Sequence, residues 1–82
     1  MKQRQFETLN GSVGLEVVRG GTGSQHRGAV LSTDDGEHLL LVRLGGHPFE
    51  DRETTELDGR RVEVKGYRLG NEFRYLQVSV RS

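Results

Sequence analysis

The stretch from Leu57 to Val80 alternates so regularly that few folds can accommodate it. It opens Leu57-Asp58-Gly59-Arg60-Arg61 and continues Val62-Glu63-Val64-Lys65-Gly66-Tyr67. It then passes Arg68-Leu69-Gly70-Asn71-Glu72 and ends Phe73-Arg74-Tyr75-Leu76-Gln77-Val78-Ser79-Val80. Apolar residues at every second position mark half-buried strands, and Gly-Asn between two such runs marks a tight turn. The stretch therefore reads as a turn, a strand, a short loop and a second strand. Val62 and Val64 share one face, as do Leu76, Val78 and Val80. For these faces to coincide, paired residues need numbers of equal parity, which requires a loop with an odd number of residues. A three-residue loop, Leu69-Gly70-Asn71, pairs Arg68 with Glu72, Tyr67 with Phe73 and Val64 with Leu76. Gly or Asn in the left-handed region suits a bulged loop of that length. The same parity sets Tyr67, Phe73 and Tyr75 on the face opposite the valines, beside Lys65.

Strands also dominate upstream. Residues 1–4 are polar and expected to fray. Phe6 and Thr8, then Val13, Leu15 and Val17, alternate around Asn10-Gly11, which predicts one long kinked strand or two short ones. Gly20-Gly21-Thr22-Gly23-Ser24 reads as a flexible connector. It lacks the Gly-Lys-Ser/Thr and the following helix of a phosphate-binding loop. His26 to Thr33 forms the next strand, with Gly28, Val30 and Ser32 on one face and Ala29 and Leu31 on the other. Asp34-Asp35-Gly36 is a hairpin turn. Glu37 to Leu44 is a third strand, apolar on both faces from Leu39 to Val42, and so expected to be central and covered on both sides. Gly45-Gly46-His47-Pro48 ends it. The acidic segment Phe49 to Asp58 makes at most a short helix, with Phe49 or Leu57 pointing inward. Gly59 stops it and Arg60 opens the fourth strand.

At 82 residues the chain reads as one domain with a small core. Ten Leu, nine Val and three Phe are about 27% of it, above the range of disordered segments. There is no Cys, which excludes disulfides and thiolate metal sites. The segment from Met1 to Glu7 lacks an apolar run, so no signal peptide is expected. The run from Leu39 to Val42 is too short to span a bilayer, so no membrane association and a cytoplasmic location are the expectations.

The order is strand, Gly-rich loop, strand, Asp-Asp-Gly turn, strand, short acidic segment, Leu-x-Gly-x-x-Val-x-Val-x-Gly, strand. It resembles a small bacterial OB-fold-like domain, an all-β five-strand Greek-key barrel with at most a short helix between strands 3 and 4. The likeness is carried by Gly28-Ala29-Val30-Leu31 with Asp35-Gly36, and by Leu57, Gly59, Val62, Val64, Gly66, Leu76 and Val78. It covers roughly residues 13–81. The weak helical signal before strand 4 leaves a sandwich or an SH3-like barrel as the alternative. The resemblance implies ligand binding on strands 2 and 3, between the loops Gly20–Gln25 and Leu69–Asn71.

Charge suggests what such a module binds. Residues 1–33 carry +2, residues 34–59 carry −6 and residues 60–82 carry +4, for a net charge of zero. Tyr67, Phe73 and Tyr75 lie beside Lys65, Arg68 and Arg74, and aromatic platforms in a basic groove are how single-strand binders hold bases. One expectation is therefore weak binding of single-stranded DNA or RNA through these six residues, with Gly20, Gly21, Thr22, Gly23 and Ser24 closing over the ligand. The other is a protein-interaction or self-association domain, binding a protein partner or forming a homodimer, through the same hairpin face or an open strand edge. His26, His38 and His47 are dispersed, and His47 with Glu50 or Asp51 lacks the three or four converging ligands a metal needs. The carboxylates Glu50, Asp51, Glu53, Glu56 and Asp58 lie in a polar segment with no apolar pocket to raise a pKa. No catalysis, metal or cofactor is expected.

Overall fold

Five strands and one short helix follow one another along the chain: β1 (Glu7–Arg19), β2 (Gln25–Thr33), β3 (His38–Arg43), α1 (Arg52–Thr55), β4 (Arg61–Leu69) and β5 (Glu72–Val80). The structure, a computed structural model, describes residues 5–19, 25–45 and 52–81. The sheet closes in the order β1-β2-β3-β5-β4. β3 and β5 run parallel, and every other pair is antiparallel. A ring of one sheet differs from a sandwich of two.

The first strand is a single element of 13 residues that serves two partners. Glu7–Ser12 pairs with β4, and Gly11–Arg19 pairs with β2. The exchange falls at Gly11, where an added Cβ would lie 2.2 Å from the Ser32 carbonyl oxygen. The kink read at Asn10-Gly11 is thus the point where one strand passes from one neighbour to the next.

The core lies inside the ring. Ala29 and Leu31 of β2, Leu39 and Leu41 of β3, and Val62 and Val64 of β4 are all buried there. β3 is central, with β2 on one side and β5 on the other. Val42 is buried beside Leu41, as a strand apolar on both faces requires.

The acidic segment supplies α1 and a turn. Leu57 is buried in the core; Phe49 lies outside the described residues. Thr54 is buried and its hydroxyl is 2.7 Å from that of Tyr75, a bond that pins α1 to β5. The Leu57-Asp58-Gly59 stretch also serves β1. The Gly59 amide donates to the Val13 carbonyl at 2.8 Å, and the Leu15 amide donates to Asp58 Oδ1 at 3.1 Å. Asp58 thereby satisfies a β1 amide lying beyond the stretch that pairs with β4.

The β4–β5 hairpin differs from the sequence expectation in register. Its loop has two residues, Gly70 and Asn71, with Leu69 opposite Glu72, Arg68 opposite Phe73 and Tyr67 opposite Arg74. Gly70 has φ +62° and Asn71 has no positive φ. Glycine at the first central position of a two-residue hairpin is the type II′ pattern, whose twist matches that of the flanking strands. The parity requirement is met elsewhere. Gly66 pairs with Tyr75 but Lys65 pairs with Gln77, so Leu76 is an extra residue, a β-bulge. Beyond it Val64 faces Val78 and Val62 faces Val80, in equal parity. Before it the phase is reversed, which turns Phe73 and Tyr75 to the same side as the valines.

Candidate interaction site on the β4–β5 hairpin

The bulge separates the aromatic residues expected to act together. Phe73 and Tyr75 are 0% and 1% exposed and sit in the core with Val62 and Val64. This corrects their placement on the outer face: they fill the barrel and offer no stacking surface. Tyr67, one position on from Gly66, is half-buried, with its ring edge-on to Phe6 at 5.6 Å between centroids and 79° between planes. Phe6 itself is exposed.

The arginines of the hairpin are held by acids from the start of β1, from the β2–β3 turn and from the hairpin itself. Arg68 reaches Glu7 at the start of β1 through Nε at 3.1 Å. Its two terminal nitrogens donate to the two Glu37 oxygens at 2.5 and 2.8 Å. One guanidinium thus clasps β4, β1 and the turn before β3. The hydrogen bonds from Arg68 hold the Glu37 carboxyl below the usual range, and those from Glu37 raise the Arg68 pKa in turn. Arg61 forks onto both Asp34 oxygens at 2.9 Å. Arg74 bonds Glu72, two positions away, at 3.1 Å, and Arg81 bonds Glu63 at 2.9 Å. The charge separation along the sequence is thereby folded into pairs. Lys65 is exposed, with no ion pair among the described residues. Gly20, Gly21, Thr22, Gly23 and Ser24 lie outside the described residues.

Chemistry of the other candidates is limited by placement. His38 Nδ1 lies 3.1 Å from the Ser32 hydroxyl. Among the described residues no three His, Asp or Glu side chains converge and no enclosed pocket forms. No helix among them is long and apolar enough to cross a membrane.

What the residue patterns did not single out is the outer edge of β5. β3 pairs with β5 from Glu72 to Tyr75, and the Leu44 amide donates to the Tyr75 carbonyl at 2.7 Å. Among the described residues no strand pairs with that edge beyond Tyr75. The phase of the ladder says which groups it presents. The Arg81 amide donates to the Arg61 carbonyl at 2.7 Å, one position outside the Val62–Val80 pair. Val62–Val80 is therefore a non-hydrogen-bonded pair, and by alternation so is Val64–Val78. The N–H and C=O groups of Val78 and Val80 point away from β4, to the side on which no described strand lies. The edge sequence Leu76-Gln77-Val78-Ser79-Val80 contains no charge, Pro or Gly. Val80, Leu76 and Leu44 are 52%, 42% and 40% exposed. A signal for the bulge was present in the sequence: the apolar phase runs through odd positions at Phe73 and Tyr75 and through even ones from Leu76 onward.

Comparison of the chain with family models, with curated proteins and with solved structures gives no match.

Proposed function

We propose that this chain is a non-enzymatic docking module, an OB-like Greek-key barrel that binds polypeptide by strand addition at the open edge of β5. The observation that carries this reading is the outward set of Val78 and Val80 main-chain groups on an uncharged, apolar edge. Strand addition draws its affinity from such groups and its selectivity from the alternating side chains beside them. The ring order β1-β2-β3-β5-β4, with α1 between β3 and β4, supports the OB-like assignment. The acid-paired arginines and the burial of Phe73 and Tyr75 favour a polypeptide over a nucleic acid, since affinity for the latter is dominated by phosphate neutralisation.

The test is a titration with single-stranded DNA and RNA at low and at physiological salt, read by amide shifts. A polypeptide-docking module leaves the spectrum unmoved at both. Shifts on Lys65, Tyr67, Arg68 and Arg74 that fade with salt would overturn the reading in favour of a nucleic-acid module.

A further inference from the structure

We infer that the occupant of the β5 edge is a second copy of this chain, joined across a two-fold axis at Ser79. The inference rests on the docking reading above and names its partner. Soluble proteins blunt an exposed edge with Lys, Pro, a bulge, a charge pointing inward or a covering segment. The bulge at Leu76 ends before Gln77, and from Gln77 to Val80 this edge carries no Lys, Pro or charge, while the rest of the hairpin is laced with ion pairs. A neutral edge gives a charged partner nothing to complement. It fits a strand that is itself neutral and β-branched at alternate positions, and Val78-Ser79-Val80 is such a strand.

The open groups fix the register. In an antiparallel pair of β5 strands, hydrogen-bonded positions must be those whose N–H and C=O face outward, Val78 and Val80. Leu76 is the bulge residue and lies outside this alternation. Setting Val78 of one copy opposite Val80 of the other, and the reverse, joins all eight open groups in four hydrogen bonds. Ser79 then faces its own counterpart on the axis as a non-hydrogen-bonded pair, and Gln77 faces Arg81. No like charges meet. Val78 and Val80 of both copies lie on one face of the joined sheet, so the 52% exposed Val80 gains an apolar neighbour. Two-fold pairing of identical patches is the commonest symmetry of soluble oligomers. An interface of this few residues falls below the standard size of roughly 1,200–2,000 Å², so the dimer is weak and reversible.

The chain has no Cys, which permits a direct test. Cα atoms of a non-hydrogen-bonded antiparallel pair lie about 4.5 Å apart, within the roughly 4.4–6.8 Å a disulfide spans. Under mild oxidation Ser79→Cys should form a covalent dimer. Gln77→Cys should not, because in this register the two copies of position 77 are four residues apart along the strands, about 13 Å. Sedimentation equilibrium of the unaltered chain should show its average mass rising from one chain toward two between roughly 10 µM and 1 mM, as expected for a small interface. Val80→Pro removes an outward amide and no bond to β4; it should leave the circular dichroism of the fold in place and abolish the rise. A mass of one chain throughout, or cross-linking of positions 77 and 79 to the same extent, overturns the dimer. If the Val78 and Val80 amides still exchange freely in that single-chain species, the docking module survives without it. If they are protected there, the edge is covered and both readings fail.

Discussion

Leu76 is the residue on which the hairpin turns. A regular strand through it would set Phe73 and Tyr75 on the face of Gln77 and Ser79; bulged out, it lets them share a face with Val78 and Val80 while Val64 stays opposite Val78. Beside it, Gly66 has no room for a side chain: an added Cβ would lie 1.9 Å from the Arg74 carbonyl oxygen. The offending atom is backbone, which yields little. Gly66→Ala should therefore lower stability by about 1–3 kcal/mol, the usual cost of overpacking, as read from the urea midpoint. Gly14→Ala, in a strand position with nothing within 4 Å of the added carbon, is the control and should shift the midpoint little. Equal losses in both would deny the close approach at the bulge. Gly66 was legible in the sequence as part of the Leu-x-Gly-x-x-Val-x-Val-x-Gly spacing, but its role was not. That role depends on the strand eight or nine residues later and on the Arg74 carbonyl it presents.

At the level of elements, the succession of strands along the chain and the burial of Val62 and Val64 follow from alternation, and the turn at Asp34-Asp35-Gly36 from its residue types. The hairpin loop does not. Parity specifies that one odd residue exists, and it is satisfied equally by a three-residue loop or by a two-residue loop with a bulge. Gly70 at φ +62° decides for the second, because a type II′ turn has the twist the strands already possess. Deleting Leu76 should accordingly keep Val64 opposite Val78, visible as a close Hα–Hα contact, at a cost of about 1–3 kcal/mol for the lost twist. A shift of that contact to a neighbouring residue would show that the register is set by the loop. The Arg68 clasp binds β1, β4 and the β2–β3 turn, and it carries a pH dependence of known sign. The Glu37 pKa is lowered in the folded chain, so its contribution is present above the ordinary carboxylate pKa of about 4.3 and lost as pH falls through the folded value. Glu37→Gln should flatten the fall of the urea midpoint below about pH 5, and an unchanged slope would remove Glu37 from the acid response. The group is solvent-exposed, so the effect is modest.

For the molecule as a whole, the arrangement of charge was legible in one dimension and misleading in three. Six basic residues after position 59 look like a polyanion site until Glu7, Asp34 and Glu37 are brought to them by the closing of the ring. Contacts 27 to 61 residues apart in sequence leave no local signature. The aromatic cluster misled because Leu76 is bulged where alternation expects a regular strand, which places Phe73 and Tyr75 in the core. The sequence allowed an open strand edge without saying which, because a side left unpaired among the described residues is a property of the assembled sheet and of no residue within it. Hydrogen exchange at single-amide resolution, on protein dilute enough to sediment as one chain, tests that edge most directly. Val78 and Val80 should exchange rapidly while Gln77 and Ser79, bonded to β4, are protected. Equal protection at all four would mean that the edge is covered within the single chain, and strand addition at β5 would be ruled out.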